Sequence, residues 1–361
     1  MSALIVAFTV SLICTLLIIR YEHMHRHLSG DMEFSGPQKF HTKTVPRIGG
    51  FAIILGAIAA ILYRLQSSLN PTLELTILAC ALPTFGVGLV EDLTKKVRIK
   101  IRLFFTAISA GLAVFFLGAI ITKLDVPGLD FLIAFPIVSI SFTIFCIVGL
   151  SNAYNIIDGF HGLASMVAII SLLAIAYVDF LVGDLLLFSL SFVMIGGCLG
   201  FFVKNYPRGQ IFLGDGGSYL IGFWIAILSI LLVARNPTVS PWFALLVNAY
   251  PIFETLFTIY RRKIHQNKNP GQPDAIHFHS LIYRRVLKNR SMNTSLGQFS
   301  SNAKTSPYLW TLSGLPVVAS ILWWQSSSKL IICAALFAFF YVWLYRSIVR
   351  FKKPNWLNTL S

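Results

Sequence analysis

The sequence predicts an all-α, polytopic membrane helix bundle of about eleven transmembrane helices, with its N-terminus outside and its C-terminus in the cytoplasm. Three observations lead there. Of 361 residues, 56% are hydrophobic and only 12% are charged, where a soluble domain carries roughly 25% charged residues. The apolar residues come in runs of the length needed to cross a hydrocarbon core, about 17 to 25 residues each. The basic residues, finally, crowd onto one side of those runs.

The runs lie at 3–19, 47–64, 73–90, 103–121, 131–150, 162–181, 184–203, 211–233, 240–259, 309–325 and 329–346. The first has no basic residue before it and Arg20 after it, so it is expected to stay as a helix and not to act as a cleaved leader. With the N-terminus outside, 25 of the 29 Lys and Arg fall on the inner side, including Arg47 at the mouth of the second run. Arg64, Lys123, Arg235 and Lys329 remain on the outer side. Positive loops stay in the cytoplasm, which sets the orientation. The net charge of +15 is therefore mostly topological. It lies in loops and not on one soluble face, so the reading is of no nucleic-acid partner.

Cys14, Cys80, Cys146, Cys198 and Cys333 all fall inside the runs without CxxC spacing, and read as small packing residues with no redox role. No composition break or internal repeat divides the chain, so residues 1–361 form one membrane domain. Its longest loop, 260–308, is basic and cytoplasmic; the front part to Arg285 is expected to be ordered, and Lys288 to Ser306, rich in Ser, Asn and Lys, to be mobile.

Four polar boxes sit at the inner ends of these runs. Glu91-Asp92 closes the third run before a basic stretch from Lys95 to Arg102. Adjacent carboxylates there are either a solvated cap paired with lysines or a functional pair that perturbs its own ionisation. In Asn152 to Gly162 (NAYNIIDGFHG), Asn152, Asn155 and Asp158 recur every third residue and share one helical face. Capping accounts for one such residue, not three in register. Gly214 to Ser218 (GDGGS) opens another run; its glycines and hydroxyl suit phosphate at a helix N-terminus, and Asp215 reads either as a cap or as an oxygen ligand for Mg2+. His277 and His279 flank Phe278 behind Asp274; without a second Cys/His pair they suit phosphate better than zinc, or are simply two surface histidines. Lys43 and Arg47, in KTVPRIGG, either touch phosphate or simply anchor the second run. Glu254, inside the ninth run, either pairs with Arg261 or Arg262 or serves packing.

Together and in order, from Pro46 to about residue 285, these boxes resemble those of the polyprenyl-phosphate N-acetylhexosamine-1-phosphate transferases. That family includes phospho-N-acetylmuramoyl-pentapeptide transferase and the enzymes that initiate O-antigen, common antigen and teichoic acid linkage. The resemblance implies that Glu91, Asp92 and Asp158 are catalytic, and that Asn155 and Asp215 hold Mg2+, with Mn2+ as a substitute ion. Lys43, Arg47, Asn152, Phe212, His277 and His279 then bind substrate, Phe212 by stacking on uracil. Three departures stand out: Glu91 replaces an Asp, His161 stands where a second Asp is frequent, and Ser280 stands where a further His is common. They turn the resemblance away from the peptidoglycan branch and towards O-antigen-type initiators.

The implied reaction moves a sugar 1-phosphate from a UDP-N-acetylhexosamine to undecaprenyl phosphate in the bacterial inner membrane, releasing UMP on the cytoplasmic side. It is the first membrane step of lipopolysaccharide-type synthesis, with the bilayer as a partner and room for a homodimer. The alternatives are a phospho-N-acetylmuramoyl-pentapeptide transferase and, in another class, a polytopic transporter. A transporter would place its carboxylates at mid-membrane, and these boxes sit at helix ends.

Overall fold

The apolar runs form helices whose limits follow local chemistry, and the run 240–259 forms two. The computed structural model describes residues 2–31, 45–65, 70–267, 276–287 and 295–350. Helix α1 (Ser2–Arg20) is followed by the short α2 (Glu22–Ser29) and a two-residue antiparallel pairing of β1 (Gly30–Asp31) with β2 (Val45–Pro46). Then come α3 (Gly49–Arg64), α4 (Pro71–Thr94), α5 (Ile99–Leu117), the short α6 (Leu129–Ile133), α7 (Pro136–Ile157), α8 (Leu163–Val182), α9 (Leu185–Asn205) and α10 (Gly214–Arg235). After α11 (Pro241–Val247) and α12 (Ala249–Tyr260), α13 (Phe278–Ile282), α14 (Ser295–Leu322) and α15 (Ser327–Val349) complete the chain. Two starts carry side-chain caps: Asn70 accepts the Leu73 N–H ahead of Pro71, and Asp184 accepts the Leu187 N–H ahead of α9.

The bundle is organised around α10, in which every residue from Gly214 to Leu232 is buried. A helix that is apolar all round has to be surrounded, and α3, α4, α7, α8 and α9 all pack against it. Helix α1 lies on α3 and α9, and α5 lies on α4 and α7. On the perimeter, Phe115, Ile137 and Phe339 are largely exposed, the pattern of side chains that face lipid and not water.

Among the described residues, eight helices are long and apolar enough to cross a membrane, or nine with the α11/α12 pair, which is bent by 77°. This multi-pass frame agrees with the expected class. The count of eleven is not reached on length and composition: α3 has 16 residues, about 24 Å of helix against a core of roughly 30 Å, and α14 begins in a polar stretch. The break between α11 and α12 has a cause. Pro251 cannot donate to the carbonyl four residues earlier, and the buried Asn248 occupies the corner, donating to Ala244 O and accepting from Tyr154 Oη.

Two expected boundaries shift. Helix α7 was expected to end near residue 150 but continues to Ile157, because Asn152 and Asn155 find partners on α10. The stretch expected to be mobile is in part helix: α14 starts at Ser295. Asn302 Oδ1 accepts the His161 N–H, Ser306 Oγ donates to His161 O, and Trp310 Nε1 donates to Gly162 O, so the start of α14 is fastened onto the loop between α7 and α8.

Candidate active site

The C-terminal ends of α4 and α7 meet the N-terminal ends of α3 and α10. The chain before α3 is zipped to the chain before α10: Phe212 N–H donates to Pro46 O, while Gly49 and Gly50 N–H donate to Phe212 O and Leu213 O, all at 2.8 to 2.9 Å. Gly214 has φ +78°, and a Cβ on it would press on Asp92 and on the Arg47 carbonyl. A side chain on Gly50 would likewise enter the Gly217 backbone. The glycines of PRIGG and GDGG therefore serve close approach of two helix starts.

Asp92 is 1% exposed and spends both oxygens on α10: Oδ1 accepts the Asp215 N–H at 2.7 Å and Oδ2 the Gly216 N–H at 2.9 Å. A carboxylate from one helix thus caps another and meets the positive end of its dipole. Arg47 bridges the two acids, with Nε 3.4 Å from Asp92 Oδ1 and Nη2 2.5 Å from Asp215 Oδ1. Arg102 Nη1 contacts the other Asp215 oxygen, and its guanidinium lies over the Tyr219 ring. Asp215 is thereby clasped between two arginines.

On α7, Asn152 Oδ1 accepts from Tyr219 Oη at 3.0 Å. Asn155 Nδ2 donates to Ser218 Oγ at 2.9 Å, and Ser218 Oγ donates to Asp215 O. Because that hydroxyl proton is committed, the amide must present Nδ2 to Ser218, leaving the Asn155 Oδ1 for a ligand. Asp158 sits just past the helix end and keeps partial solvent contact. Burial still pushes its carboxyl up to about 7, with the Arg47 guanidinium pulling the other way. Glu91 is half-buried and accepts the Val97 N–H at 2.6 Å, closing the turn after α4.

The His box arrives from the far side. His277 and His279 are buried, with their rings 5.2 Å apart and nearly parallel. The His279 Nε2 would lie 3.1 Å from a Cβ on Gly159, and its ring meets Phe160 edge-on. The His279 imidazole therefore rests on the loop that carries Asp158, with the His277 ring stacked on it. Phe212, expected to stack on a base, stacks here on the His161 ring at 5.9 Å. Glu254 pairs with neither Arg261 nor Arg262 in its carboxylate hydrogen bonds; it holds His277, the Phe278 N–H and Tyr341. Lys43 lies outside the described residues.

The structure thus gathers Arg47, Asp92, Asn152, Asn155, Asp215 and Phe212 directly, with Asp158 and the His box beside them. Sequence reasoning missed Arg102, Ser218 as the bridge, Tyr219 and the role of Glu254. Arg102 was hidden in a basic stretch that topology already explained. Tyr219 offered no signal apart from following GDGGS.

A family model described as glycosyl transferase family 4 matches residues 75–233, which span the acidic pair, the Asn box and Asp215. A probable undecaprenyl-phosphate N-acetylglucosaminyl 1-phosphate transferase from Bacillus subtilis (strain 168) is 33% identical over 304 residues, covering 80% of this chain and 80% of its own length. The chain belongs to the polyprenyl-phosphate hexosamine-1-phosphate transferases. An undecaprenyl-phosphate alpha-N-acetylglucosaminyl 1-phosphate transferase from Thermotoga maritima is 29% identical, covering 70% of this chain and 72% of its own. A phospho-N-acetylmuramoyl-pentapeptide-transferase from Streptococcus thermophilus (strain CNRZ 1066) is 31% identical but covers 60% of this chain and 62% of its own.

For a member of this transferase family, the donor set around Asp215 has the chemistry that suits Mg2+. It consists of hard oxygens, namely the Asp215 carboxylate and the outward Asn155 Oδ1, linked through Ser218. Among the described residues no three His, Cys, Asp or Glu cluster as a metal cage, and Mg2+ does not require one, since water and substrate phosphates complete its shell. Both Asp215 oxygens touch guanidinium groups, so a cation at this carboxylate has to displace or share one of them.

Proposed function

We propose that this transferase moves an N-acetylhexosamine 1-phosphate from its UDP-sugar to undecaprenyl phosphate at the cytoplasmic face of a bacterial inner membrane, releasing UMP. The observation that carries the reading is the clasp of Asp215 by Arg47 and Arg102 at one end of the bundle. Two guanidinium forks at a carboxylate beside an N-terminal helix turn suit a diphosphate bound through a divalent ion. N-acetylglucosamine is the favoured sugar, because the Bacillus subtilis and Thermotoga maritima relatives, which cover 80% and 70% of this chain, carry that name. The pentapeptide reading is favoured less, since the pentapeptide transferases, at 29 to 31% identity, cover 60 to 71% of this chain against 80% for the Bacillus subtilis relative. The first committed membrane step of a surface polysaccharide, O-antigen-like in type, is the corresponding role.

In the reaction, an oxygen of the lipid phosphate forms a bond to the sugar-bearing phosphorus, the bond to the bridging oxygen breaks, and UMP leaves with that electron pair. When bound at Asp215 and Asn155, Mg2+ (or Mn2+) supplies charge neutralisation on the diphosphate. Arg47 and Arg102 bind and orient the phosphates by bidentate forks. Asp92 cannot act as a free base while both of its oxygens hold α10; it preserves the geometry of the Asp215 turn. None is needed, because a phosphate monoester with a second pKa near 6 is already largely dianionic at neutral pH. Asp158 and Glu91 border the approach of the acceptor, and His277 and His279 meet the donor side.

The test is UMP release by the purified chain in bilayer nanodiscs with undecaprenyl phosphate. The donors are UDP-GlcNAc, UDP-GalNAc, UDP-QuiNAc, UDP-FucNAc and UDP-MurNAc-pentapeptide, each with Mg2+ and with EDTA. Release with one N-acetylhexosamine donor, lost in EDTA, is expected. Silence with every donor sinks the proposal.

A further inference from the structure

A buried carboxylate lies beneath the His box, outside the clasp around Asp215. Glu254, on α12, is 1% exposed. Its Oε1 accepts from His277 Nδ1 at 3.0 Å, from the Phe278 N–H at 3.2 Å and from Thr258 Oγ1 at 3.5 Å; its Oε2 accepts from Tyr341 Oη at 2.7 Å. Thr258 Oγ1 also lies 3.3 Å from His277 Nδ1. These partners come from α12, the His box and α15, so one carboxylate joins three segments.

An uncompensated carboxylate at this depth is costly and persists only with donors around it. Here its donors include a titratable side chain that in turn touches the site. A carboxylate accepts only, so the proton of His277 has to sit on Nδ1, which fixes the tautomer and leaves Nε2 as the acceptor of the ring. The Phe278 N–H bond fixes the backbone between the two histidines. The His277 ring then stacks on His279, whose ring rests on Gly159 beside Asp158.

We propose that Glu254 is a positioning residue for the transfer reaction, acting through His277 Nδ1 and the Phe278 N–H to set the tautomer and placement of the His box for the donor's phosphates. It rests on the proposed function only for the identity of those phosphates.

The test pairs a kinetic with a spectroscopic readout on the full chain in nanodiscs. Glu254→Gln keeps an oxygen acceptor for His277 and an amide that can donate to Tyr341 Oη, whereas Glu254→Leu fills the space without accepting. Histidine 15N shifts, assigned by their loss in His277→Gln, report which ring nitrogen carries the proton. The expected result is an Nδ1–H tautomer in the parent and in Glu254→Gln, lost in Glu254→Leu. With it, the KM for the UDP-sugar rises about tenfold in Glu254→Leu while kcat changes less than about threefold, and Glu254→Gln restores the parent KM. Combining Glu254→Leu with His277→Gln adds nothing further. A tautomer unmoved in Glu254→Leu overturns the proposal whatever the activity. So does a fall in kcat and thermal stability at unchanged KM, because that marks a merely structural carboxylate. If no variant or parent turns over any UDP-sugar while the tautomer still follows Glu254, the donor assignment fails and the coupling stands. Should Glu254→Leu not fold, Glu254→Met, whose flexible apolar chain likewise offers His277 no carboxylate oxygen, takes its place with the same two readouts and the same expected changes. An unmoved tautomer and KM in it would count against the proposal.

Discussion

Asp92 caps a helix to which it does not belong, accepting the Asp215 N–H at 2.7 Å across the boundary between α4 and α10. Removing that carboxylate leaves two buried N–H groups without an acceptor and frees Arg47 from one partner. Asp92→Ala is therefore expected to destabilise the protein by about 1 to 3 kcal/mol and to abolish UMP release. Asp92→Asn, which retains one oxygen acceptor, should lose less stability than activity. Thermal unfolding in detergent beside the turnover assay checks the order.

Arg47 and Arg102 clasp the same carboxylate from opposite oxygens. Lysine at either place keeps the charge but not the fork. Arg47→Lys and Arg102→Lys are each expected to raise the donor KM on the order of tenfold, equivalent to about 1.4 kcal/mol. An initial-rate series over donor concentration measures it, and an unchanged KM in both would remove the arginines from the phosphate site.

Burial holds the Asp158 carboxyl at about 7 in the folded chain. Between about pH 4 and 7 the folded protein thus keeps a proton that the unfolded chain has released. Stability from this group is full below about pH 4 and declines as the pH rises through 7. Activity that needs the ionised carboxylate runs the opposite way, falling as the pH drops through about 7. Because Arg47 pulls the value down, Arg47→Ala should move the midpoint of this limb upward. Asp158→Asn should flatten it. A pH–rate profile of the three proteins decides, provided that donor is saturating.

Gly214 sits at φ +78°, and a Cβ added there would meet Asp92 and the Arg47 carbonyl. Gly214→Ala carries a left-handed backbone cost of roughly 1 to 2 kcal/mol as well as a collision with the capping carboxylate. The expected outcome is loss of activity larger than in Gly86→Ala, where no atom lies within 4 Å. Equal activity in the two variants would show that the turn can give way.

Much of this was legible in the sequence. Hydropathy located the helices that carry Asp92, Asn155 and Asp215, since a spanning helix must satisfy its backbone internally and declares itself by length, whereas the short α13 at the His box gave no such signal. The boxes NAYNIIDG and GDGG pointed to Asn155 and Asp215, and Ser218 proved to be the atom that joins them. Helix ends were less legible: polar Asn152 and Asn155 read as the start of a loop, because nothing local reveals that Tyr219 and Ser218 lie opposite. Arg102 was masked by the positive-inside pattern that it also obeys. Glu254 gave no local clue to its partner, since its hydrogen bond to His277 spans 23 residues and its bond to Tyr341 spans 87.

The fastening of the His161 loop by Asn302, Ser306 and Trp310 also orders events during synthesis. Ribosomes deliver the membrane segments in turn, and the loop beside Asp158 has been inserted long before its clamp is translated. The loop beside Asp158 therefore gains these three hydrogen bonds only once α14 has been made, so this side of the bundle closes late in synthesis.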